Sequence, residues 1–383
     1  MKAIQLGADG GGPRLVSVAE PEPGPGQLLV RVTAAGLCRT DLKLTDSSPT
    51  ALARRFRLPM TLGHEGVGVV AAVGEGADVA AGVAVDGTAA GSGSAGSASA
   101  GGTPAGSGSA GNGHAVGDAV AVYGPWGCGT CRVCVSGREN HCPRAGRLGI
   151  RPPGLGSPGS LAEYLLVDAA RHAVPIGRLD PAEAAPLTDA GVTAYHAIER
   201  SLPKLGASAT AVVIGAGGLG HLAIQFLRAV TGAQVVAVDA AEAKLALAAG
   251  VGAHHAVPAG RAAAREIRRL TDGIGAEAVL DFVAAEDTVA LAAQCVAAGG
   301  DVTIVGTGGA RIPTGFAAPA HAVAVSGTYW GTLPNLTRVI ELARMGAVRA
   351  EVTRYPLEDT AAAYEELRAG RVSGRAVVCP SPS

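Results

Sequence analysis

Aromatic side chains are scarce in this chain, since Phe, Trp and Tyr together make up 3% of its 383 residues. Any hydrophobic core must therefore be built mainly from Ala, Val, Leu and Ile. Such material is plentiful, because 48% of the chain is hydrophobic. The length and this content suffice for two domains, each with a core of its own.

The chain also lacks an excess of charge, with a formal net charge of −1 at pH 7. That balance argues against a basic footprint for nucleic acid or an electrostatically bound membrane partner. No apolar run reaches the roughly 18 residues of a bilayer-spanning helix. Residues 1–6 lack the apolar stretch of a signal peptide and predict a first strand. Together with cysteines suited to a reducing compartment, these features predict a cytoplasmic protein.

Four of the seven cysteines fall close together, as Cys128, Cys131, Cys134 and Cys142. Two-residue gaps let a short turn direct successive thiolates at one ion, and the return to the fourth cysteine closes a tetrahedron. An iron–sulfur cluster and two disulfides are the alternatives, but the spacing does not match ferredoxin-type runs, in which Pro follows a close fourth Cys. The spacing therefore favours a structural zinc, in a lobe over residues 124–146. Cys295 and Cys379 are left over, and we interpret both as small core hydrophobes.

A second candidate metal site begins at His64 and Glu65, at the start of a Gly/Val-rich run that predicts a strand. Cys38 lies upstream and could meet them in space. Cys, His and one more ligand give a zinc whose fourth position stays open to a substrate oxygen. Taken alone, His64 is better explained as an ordinary structural histidine, so this interpretation depends on the rest of the chain.

Residues 212–222, VVIGAGGLGHL, carry the pattern G-x-G-x-x-G between a β-branched strand and an amphipathic helix. The first glycine, Gly215, permits the tight turn; Gly217 lets the backbone approach a pyrophosphate, and Gly220 allows close helix–strand packing. The next predicted strand ends in Asp239, at the distance expected of the acid that accepts hydrogen bonds from the cofactor ribose. A carboxylate there repels a 2′-phosphate, which favours NAD over NADP.

The strand and helix signals change character along the chain. Residues up to about 188 contain short Val-rich runs broken by Gly and Pro, as in a mostly-β domain. Strands and helices then alternate, which predicts a parallel sheet with right-handed crossovers. The predicted strands are 211–215, 235–239, 278–283 and 302–306, and the predicted helices are 218–230, 242–249 and 286–297.

A closed zinc, an open zinc and a dinucleotide turn occur together in one family. The sequence resembles the zinc-dependent medium-chain alcohol dehydrogenases, and within them the bacterial NAD-dependent secondary alcohol dehydrogenases. Besides the motifs above, the resemblance is carried by residues 123–129, 152–160, 186–196, 329–331 and 374–378. It covers nearly the whole chain. It implies an α/β protein with a GroES-like, mostly-β catalytic domain over 1–188, a Rossmann doubly wound parallel sheet over 189–327, and a return to the catalytic domain over 328–383.

The resemblance also implies roles for single residues. Cys38, His64 and Asp189 correspond to the catalytic zinc ligands, although many relatives carry a second Cys in place of Asp189. Glu65 corresponds to a carboxylate beside the zinc and Thr40 to a proton-relay hydroxyl, both counted as catalytic. The cofactor positions are Thr193, Gly215, Gly217, Gly218, Leu219, Gly220, Asp239, Lys244, Val283 and Arg375. Some relatives place a relay His where this chain has Lys43, and we do not assign that role to Lys43.

Trp126, Leu155, Tyr329 and Trp330 correspond to apolar walls of the substrate pocket, with core packing as the alternative explanation of each. Such walls suit a secondary alcohol or ketone. The implied enzyme holds two zinc ions and NAD, transfers hydride reversibly between alcohol and NAD, and forms a homodimer or homotetramer. A polyol or amino-alcohol dehydrogenase of the same superfamily and a catalytically inactive zinc- and nucleotide-binding scaffold remain as alternatives.

One segment departs from the family pattern. Residues 87–113 consist of Gly, Ala, Ser, Thr, one Pro and one Asn, with no charged and no aromatic residue. Such a tract cannot bury enough apolar surface to offset the entropy of ordering it, so we expect a disordered surface insertion. Loop length adds little cost, since each doubling adds only about 0.6 kcal/mol.

Overall fold

The computed structural model describes residues 1–9, 12–77, 113–316 and 318–380. The predicted insertion at 87–113 therefore lies outside the described residues, apart from Gly113. None of the helices within the described ranges is long and apolar enough to cross a membrane.

The first half of the chain is mostly β-structure. Its strands are β1 (Lys2–Leu6), β2 (Pro13–Ser17), β3 (Leu28–Gly36), β4 (Met60–Thr61), β5 (Glu65–Val73), β6 (Ala119–Val122), β7 (Tyr164–Val167) and β8 (Ala173–Pro175). Short helices interrupt them, namely α1 (Arg39–Thr45), α2 (Pro49–Ala53), α3 (Arg132–Val135) and α4 (Pro181–Ala184), and the longer α5 (Ala190–Glu199) ends the half.

Strands and helices alternate in the dinucleotide half, as the sequence predicts. It contains β9 (Thr210–Ile214), α6 (Gly220–Val230), β10 (Gln234–Asp239), α7 (Glu242–Gly250), β11 (His255–Pro258), α8 (Ala263–Leu270), β12 (Ala276–Asp281), α9 (Glu286–Cys295), β13 (Val296–Ile304) and β14 (Ala324–Gly327). All six strands are parallel, in the order β11-β10-β9-β12-β13-β14. This is the strand order of the doubly wound dinucleotide fold, with the switch point between β9 and β12.

Several boundaries differ from the sequence prediction. The helix predicted to run to residue 297 ends at Cys295, because Val296 already pairs with Ala276 in the sheet. The helix predicted to begin at residue 218 begins at Gly220. The sequence analysis also missed β11 and β14, which are only four residues long, and the arginine-rich α8, whose amphipathic pattern was overlooked.

After β14 the chain forms α10 (Leu333–Arg344), β15 (Val352–Pro356), α11 (Thr360–Arg368) and β16 (Arg375–Cys379). Strand β16 pairs with β3, and β15 pairs with β16, so the last strands extend the sheet of the first half. That sheet has the order β15-β16-β3-β5-β6-β8, with β7 also paired to β3. The α/β class, a mostly-β part and a Rossmann sheet, is confirmed, whereas the domain limits near 188 and 328 stay predictions.

Buried side chains are mainly Ala, Val, Leu and Ile, as the scarcity of aromatics requires. Only Tyr123 and Phe226 are aromatic among the largest fully buried side chains. One large core cluster contains β5, β9 and α10 residues together, for example Val67, Val213 and Val339. The two sheets therefore share a continuous core, which fixes the elements that carry the candidate site.

Candidate active site and metal centres

Cys38 has an extended backbone and is the N-cap residue of helix α1, which begins at Arg39. Its sulfur lies 3.5 Å from the backbone N of Thr40, and the Thr40 hydroxyl oxygen also lies 3.5 Å from it. Asp41 Oδ2 in turn accepts the N–H of Cys38 at 3.0 Å. The sulfur of Cys38 is thus held beside the first N–H groups of helix α1.

His64 lies immediately before β5 and is 2% exposed. Its Nδ1 lies 3.2 Å from Asp41 Oδ1 and its Nε2 lies 3.5 Å from Asp189 Oδ2. Although burial alone would lower it, the two carboxylates raise the pKa of His64 well above its ordinary value. Asp41 was not singled out in the sequence, yet it is the carboxylate that orients this imidazole, a contact typical of metal-ligating histidines.

Asp189 is the N-cap residue of α5, but its side chain makes no capping hydrogen bond. Instead Oδ2 lies 3.6 Å from the sulfur of Cys38 and Oδ1 accepts from the hydroxyl of Thr193 at 3.4 Å. Burial favours the neutral acid, but the contacts with His64 hold the pKa of Asp189 below its usual range. Oδ2 is therefore directed to the cluster, while Oδ1 contacts the side chain of Thr193 on α5 and no backbone N–H of that helix.

The ligand atoms of Cys38, His64, Glu65 and Asp189 all lie within 4.8 Å of one another. Tetrahedral zinc with bonds of about 2.0–2.3 Å separates its ligand atoms by roughly 3.3–3.8 Å. The separations of 3.5 and 3.6 Å from Asp189 to His64 and Cys38 match that spacing. The donor set fits a zinc ion held by three ligands, with Glu65 close by.

Glu65 joins this cluster to the dinucleotide half. Its buried carboxylate accepts a short hydrogen bond from Arg375 Nη2 on β16. The Arg375 side chain lies beneath the glycine turn, since a Cβ added at Gly218 would be 2.8 Å from its Cδ. A single buried guanidinium thus contacts both the metal cluster and the cofactor turn.

The glycine turn between β9 and α6 has the shape required to hold a dinucleotide. Gly215 has φ +89°, and a Cβ at Gly220 would be 1.9 Å from the Gly215 carbonyl oxygen. By contrast, a Cβ added at Gly217 would meet only Lys244 Nζ, at 4.0 Å. The backbone of Gly217 therefore faces open space at a helix N-terminus, where a pyrophosphate can approach.

Asp239 ends β10, and its carboxylate accepts the N–H groups of Ala216 and Ala241 at 2.9 and 3.0 Å. A negative charge is thus fixed beside the glycine turn. Val283 lies on the other side of that turn, with Cγ2 2.7 Å from a Cβ added at Gly215. Leu219 is the N-cap residue of α6. The structure brings these cofactor positions together around one turn, while their roles stay predictions.

The sequence analysis missed His221, which directly follows the glycine turn. Its imidazole is fully buried. Nε2 accepts the N–H of Glu351 at 3.2 Å, so Nδ1 carries the proton and donates to the Gly217 carbonyl at 3.0 Å. Burial lowers the pKa of His221 to about 4. No motif marks this histidine, because its partner lies 130 residues further along the chain.

Substituting His221→Gln is expected to flatten the acid dependence of stability. The unfolded chain protonates this histidine below its ordinary pKa of 6.5, whereas the folded protein does so only near 4. Stability is therefore lost as pH falls through that window, by about 2 kcal/mol between pH 7 and pH 5. Urea unfolding at both pH values measures the difference. The exposed His321→Gln serves as control, and equal slopes for wild type and H221Q would contradict the prediction.

The cysteine lobe brings all four predicted thiols together. Cys131 Sγ lies 3.4 Å from Cys134 Sγ and 4.0 Å from Cys142 Sγ, and Cys128 Sγ lies 3.9 Å from Cys134 Sγ. These distances exceed any S–S bond and match the roughly 3.8 Å between thiolates around zinc. The backbone N–H of Thr130 lowers the pKa of Cys128 to about 6. The lobe fits a closed, structural zinc.

A buried ionic network under this lobe was not anticipated from the sequence. Glu139 Oε2 accepts the N–H of Gly127 at 3.0 Å and lies 2.9 Å from His172 Nε2. Arg171 donates to Glu139 and to the Gly127 carbonyl, and Asp168 lies 2.6 Å from His172 Nδ1. Although burial opposes it, hydrogen bonds from His172 and Arg171 lower the pKa of Glu139 to about 2. The network fastens the lobe to the segment between β7 and β8.

The four predicted pocket residues differ in their placement. Trp330 contacts the cluster directly, with its ring edge-on to His64 at 5.7 Å between centroids. Tyr329 packs edge-on against Trp330 and is 53% exposed. Leu155 is half-buried between two core clusters, and Trp126 is buried, stacked on His172. Of these four residues, Trp330 has the strongest support as part of the pocket wall, because it contacts the cluster.

Comparisons with known proteins agree with this geometry. Residues 24–100 and 90–178 match the model of the alcohol dehydrogenase GroES-like domain, and residues 218–344 match that of the zinc-binding dehydrogenases. The chain is 33% identical to a D-arabinose 1-dehydrogenase (NADP(+)) of Saccharolobus solfataricus, covering 94% of this chain and 92% of that one. It is also 33% identical to an NAD-dependent alcohol dehydrogenase of Sulfurisphaera tokodaii, over 99% and 100% of the two chains.

Among solved structures, the alcohol dehydrogenase of the hyperthermophilic archaeon Aeropyrum pernix superposes with a TM-score of 0.81. The two sequences are 32% identical, and the match covers 99% of this chain and 100% of the other. Relatives of this identity, matched along nearly their full length, share both parts of the fold and not the dinucleotide sheet alone. The chain therefore belongs to the family of zinc-dependent medium-chain alcohol dehydrogenases.

Proposed function

We propose that this protein is an NAD-dependent zinc alcohol dehydrogenase that interconverts secondary alcohols and ketones. The observation that carries the proposal is the link between the two halves of the site. Arg375 contacts Glu65 of the metal cluster and lies under Gly218 of the cofactor turn. A metal-bound substrate and a cofactor held at these places share one cleft, as direct hydride transfer requires.

Cys38, His64 and Asp189 would hold the catalytic zinc, and the four lobe cysteines the structural one. Bound there, zinc supplies a Lewis acid that lowers the pKa of a substrate hydroxyl. NAD supplies the hydride acceptor, which the protein must position and not activate.

The remaining steps belong to the side chains. Thr40 Oγ1, beside Cys38, would relay the substrate hydroxyl proton, taking it up on oxygen while releasing its own hydroxyl proton towards solvent. Glu65 and Arg375 balance the charge of the cluster, because the guanidinium offsets one of the buried carboxylates next to His64. Asp41 fixes the ring of His64 through Nδ1, which leaves Nε2 for the metal. The buried ring of Trp330 packs edge-on against His64 and would keep water away from the reacting centre.

A polyol or sugar is the second candidate substrate. Trp330 Nε1 is buried and has no hydrogen-bond partner among the described residues. A buried indole N–H usually finds an acceptor, and a substrate hydroxyl could supply one. The resemblance to the D-arabinose 1-dehydrogenase of Saccharolobus solfataricus points in the same direction. The apolar rings of Trp330 and Tyr329 beside the cluster favour the simple alcohol.

Two measurements on the purified protein test the proposal. Metal analysis is expected to give two zinc ions per chain. NADH formation is expected with 2-propanol, 2-butanol and 1-phenylethanol, at higher kcat/KM than with D-arabinose or a polyol panel. Turnover confined to sugars would select the second candidate. Two zinc ions with no turnover on either panel would instead indicate an inactive scaffold.

Family members assemble through the cofactor domain, and we propose a homodimer or homotetramer here too. Sedimentation of the purified protein measures its mass directly. A monomer at micromolar concentration would contradict this part of the proposal.

A further inference from the structure

Lys43 is the residue for which the sequence analysis found no role. It lies on α1, five residues after Cys38, and its side chain is exposed. Its Nζ donates to the carbonyl oxygen of Thr307 at 2.7 Å and to the Thr307 hydroxyl at 2.6 Å. Thr307 follows β13, in the dinucleotide half of the chain. One side chain thus spans from the metal side to the cofactor side.

Both ends of this contact are firmly held. On the metal side, α1 is fixed because Asp41 bonds the Cys38 N–H and lies against His64. Any shift of Lys43 along its helix would therefore disturb two residues of the metal cluster. The helix has seven residues, and Asp41 lies within its first turn.

On the cofactor side, the segment around Thr307 packs backbone to backbone on the residues that follow β12. The N–H groups of Val305 and Gly306 donate to the Asp281 carbonyl at 2.8 and 2.9 Å, and that of Gly308 donates to Val283 at 3.2 Å. Val283 lies against Gly215, the first glycine of the cofactor turn. The segment that contains Thr307 is thus connected through Val283 to the cofactor turn.

We propose that Lys43 is a positioning residue that ties the two sides of the cleft together, setting the distance between the metal cluster and the bound nicotinamide cofactor. The inference rests on the proposed function. Both acceptors belong to Thr307, so the ammonium group acts as a fixed donor and not as a carrier that passes substrate protons to solvent. The proton leaves by a route that does not use residue 43.

The variant Lys43→Met keeps the length of the side chain and removes the charged donor. We expect NADH, titrated by fluorescence, to bind about tenfold more weakly, since hydrogen bonds to a charged group are lost. KM for NAD is expected to rise by a similar factor and kcat to fall less, with an unchanged pH profile. Lys43→Arg, which keeps the donors, is expected to restore most of the affinity. Lys2→Met, another exposed lysine, is the control.

A double-mutant cycle identifies the partner. Thr307→Val removes the hydroxyl and keeps the carbonyl, so we expect about a threefold loss of NADH affinity. In K43M the same substitution is expected to have no further effect. Independent effects of the two substitutions would overturn the proposal.

Hydrogen exchange separates failure of the tether from failure of the proposed function. Amides of residues 305–310 are expected to exchange faster in K43M than in wild type, whether or not any alcohol is turned over. Unchanged exchange and unchanged NADH affinity would overturn the tether. A fall in kcat of a hundredfold with a shifted pH profile and unaltered NADH affinity would overturn it as well, because it would identify Lys43 as a proton carrier.

Discussion

Replacing Asp189 by Ala is expected to remove one of the two zinc ions and to lower kcat/KM by at least about 10³-fold. A Lewis acid contributes several kcal/mol to the stabilisation of transition-state charge, and each 1.36 kcal/mol is a factor of ten. The fold should persist, because the Asp189 side chain makes no capping bond to α5 and its contacts are with Thr193 and with the other residues of the metal cluster. Metal analysis and circular dichroism measure the two outcomes.

The chain offers a matched variant at the same position. Asp189→Cys supplies a thiolate, which zinc accepts as readily as a carboxylate. It is expected to keep two zinc ions and a large part of the activity. Two zinc ions in D189A would contradict the ligand assignment of Asp189. Loss of both ions would show instead that the substitution disrupts the fold and reaches the cysteine lobe.

Neutralising Asp239 as Asp239→Asn is expected to shift the preference between NAD and NADP by roughly 10²-fold towards NADP. The carboxylate is held beside the glycine turn by the N–H groups of Ala216 and Ala241. A 2′-phosphate placed there meets a like charge, which costs several kcal/mol. Asn has almost the same shape and keeps an oxygen acceptor, so most of the change reports the charge itself.

The measurement is the ratio of kcat/KM for the two cofactors in wild type and variant. Glu20→Gln, an exposed acid far along the chain from the cofactor motif, controls for the change in net charge. An unaltered ratio in D239N would show that the 2′-hydroxyl of the cofactor ribose does not bind at Asp239. The ratio also bears on relatives of this chain, which are named for NAD in one case and NADP(+) in another.

Local motifs made parts of this molecule predictable. Two motifs each lie within a short segment of the chain, namely the lobe cysteines (Cys128, Cys131, Cys134 and Cys142) and the glycines from Gly215 to Gly220. Local backbone geometry therefore suffices to bring the groups of each motif together. Alternation of strand and helix likewise predicted the parallel sheet. The strands β11 and β14 were missed because four residues are too few to carry a periodic pattern, whereas the amphipathic helix α8 was overlooked despite its pattern.

The catalytic cluster depends on contacts between distant segments. Cys38 and Asp189 are 151 residues apart, and Glu65 and Arg375 are 310 apart. Resemblance to a family proposed these residues, whereas no spacing rule within the sequence joins them. Asp41, His221 and Glu139 escaped notice altogether, because a single buried polar residue carries no pattern until its partner is known.

By itself, then, the sequence determined the class of fold, the cysteine lobe and the dinucleotide turn, whose geometry is written in adjacent residues. Only the tertiary structure decided that Asp189 directs Oδ2 towards His64 and that Arg375 contacts both Glu65 and the glycine turn. It also decided that Lys43 on α1 reaches Thr307, on the segment that follows β13. The physical reason is that such contacts depend on how two sheets pack on a shared core, which places side chains within ångströms that the chain separates by hundreds of residues.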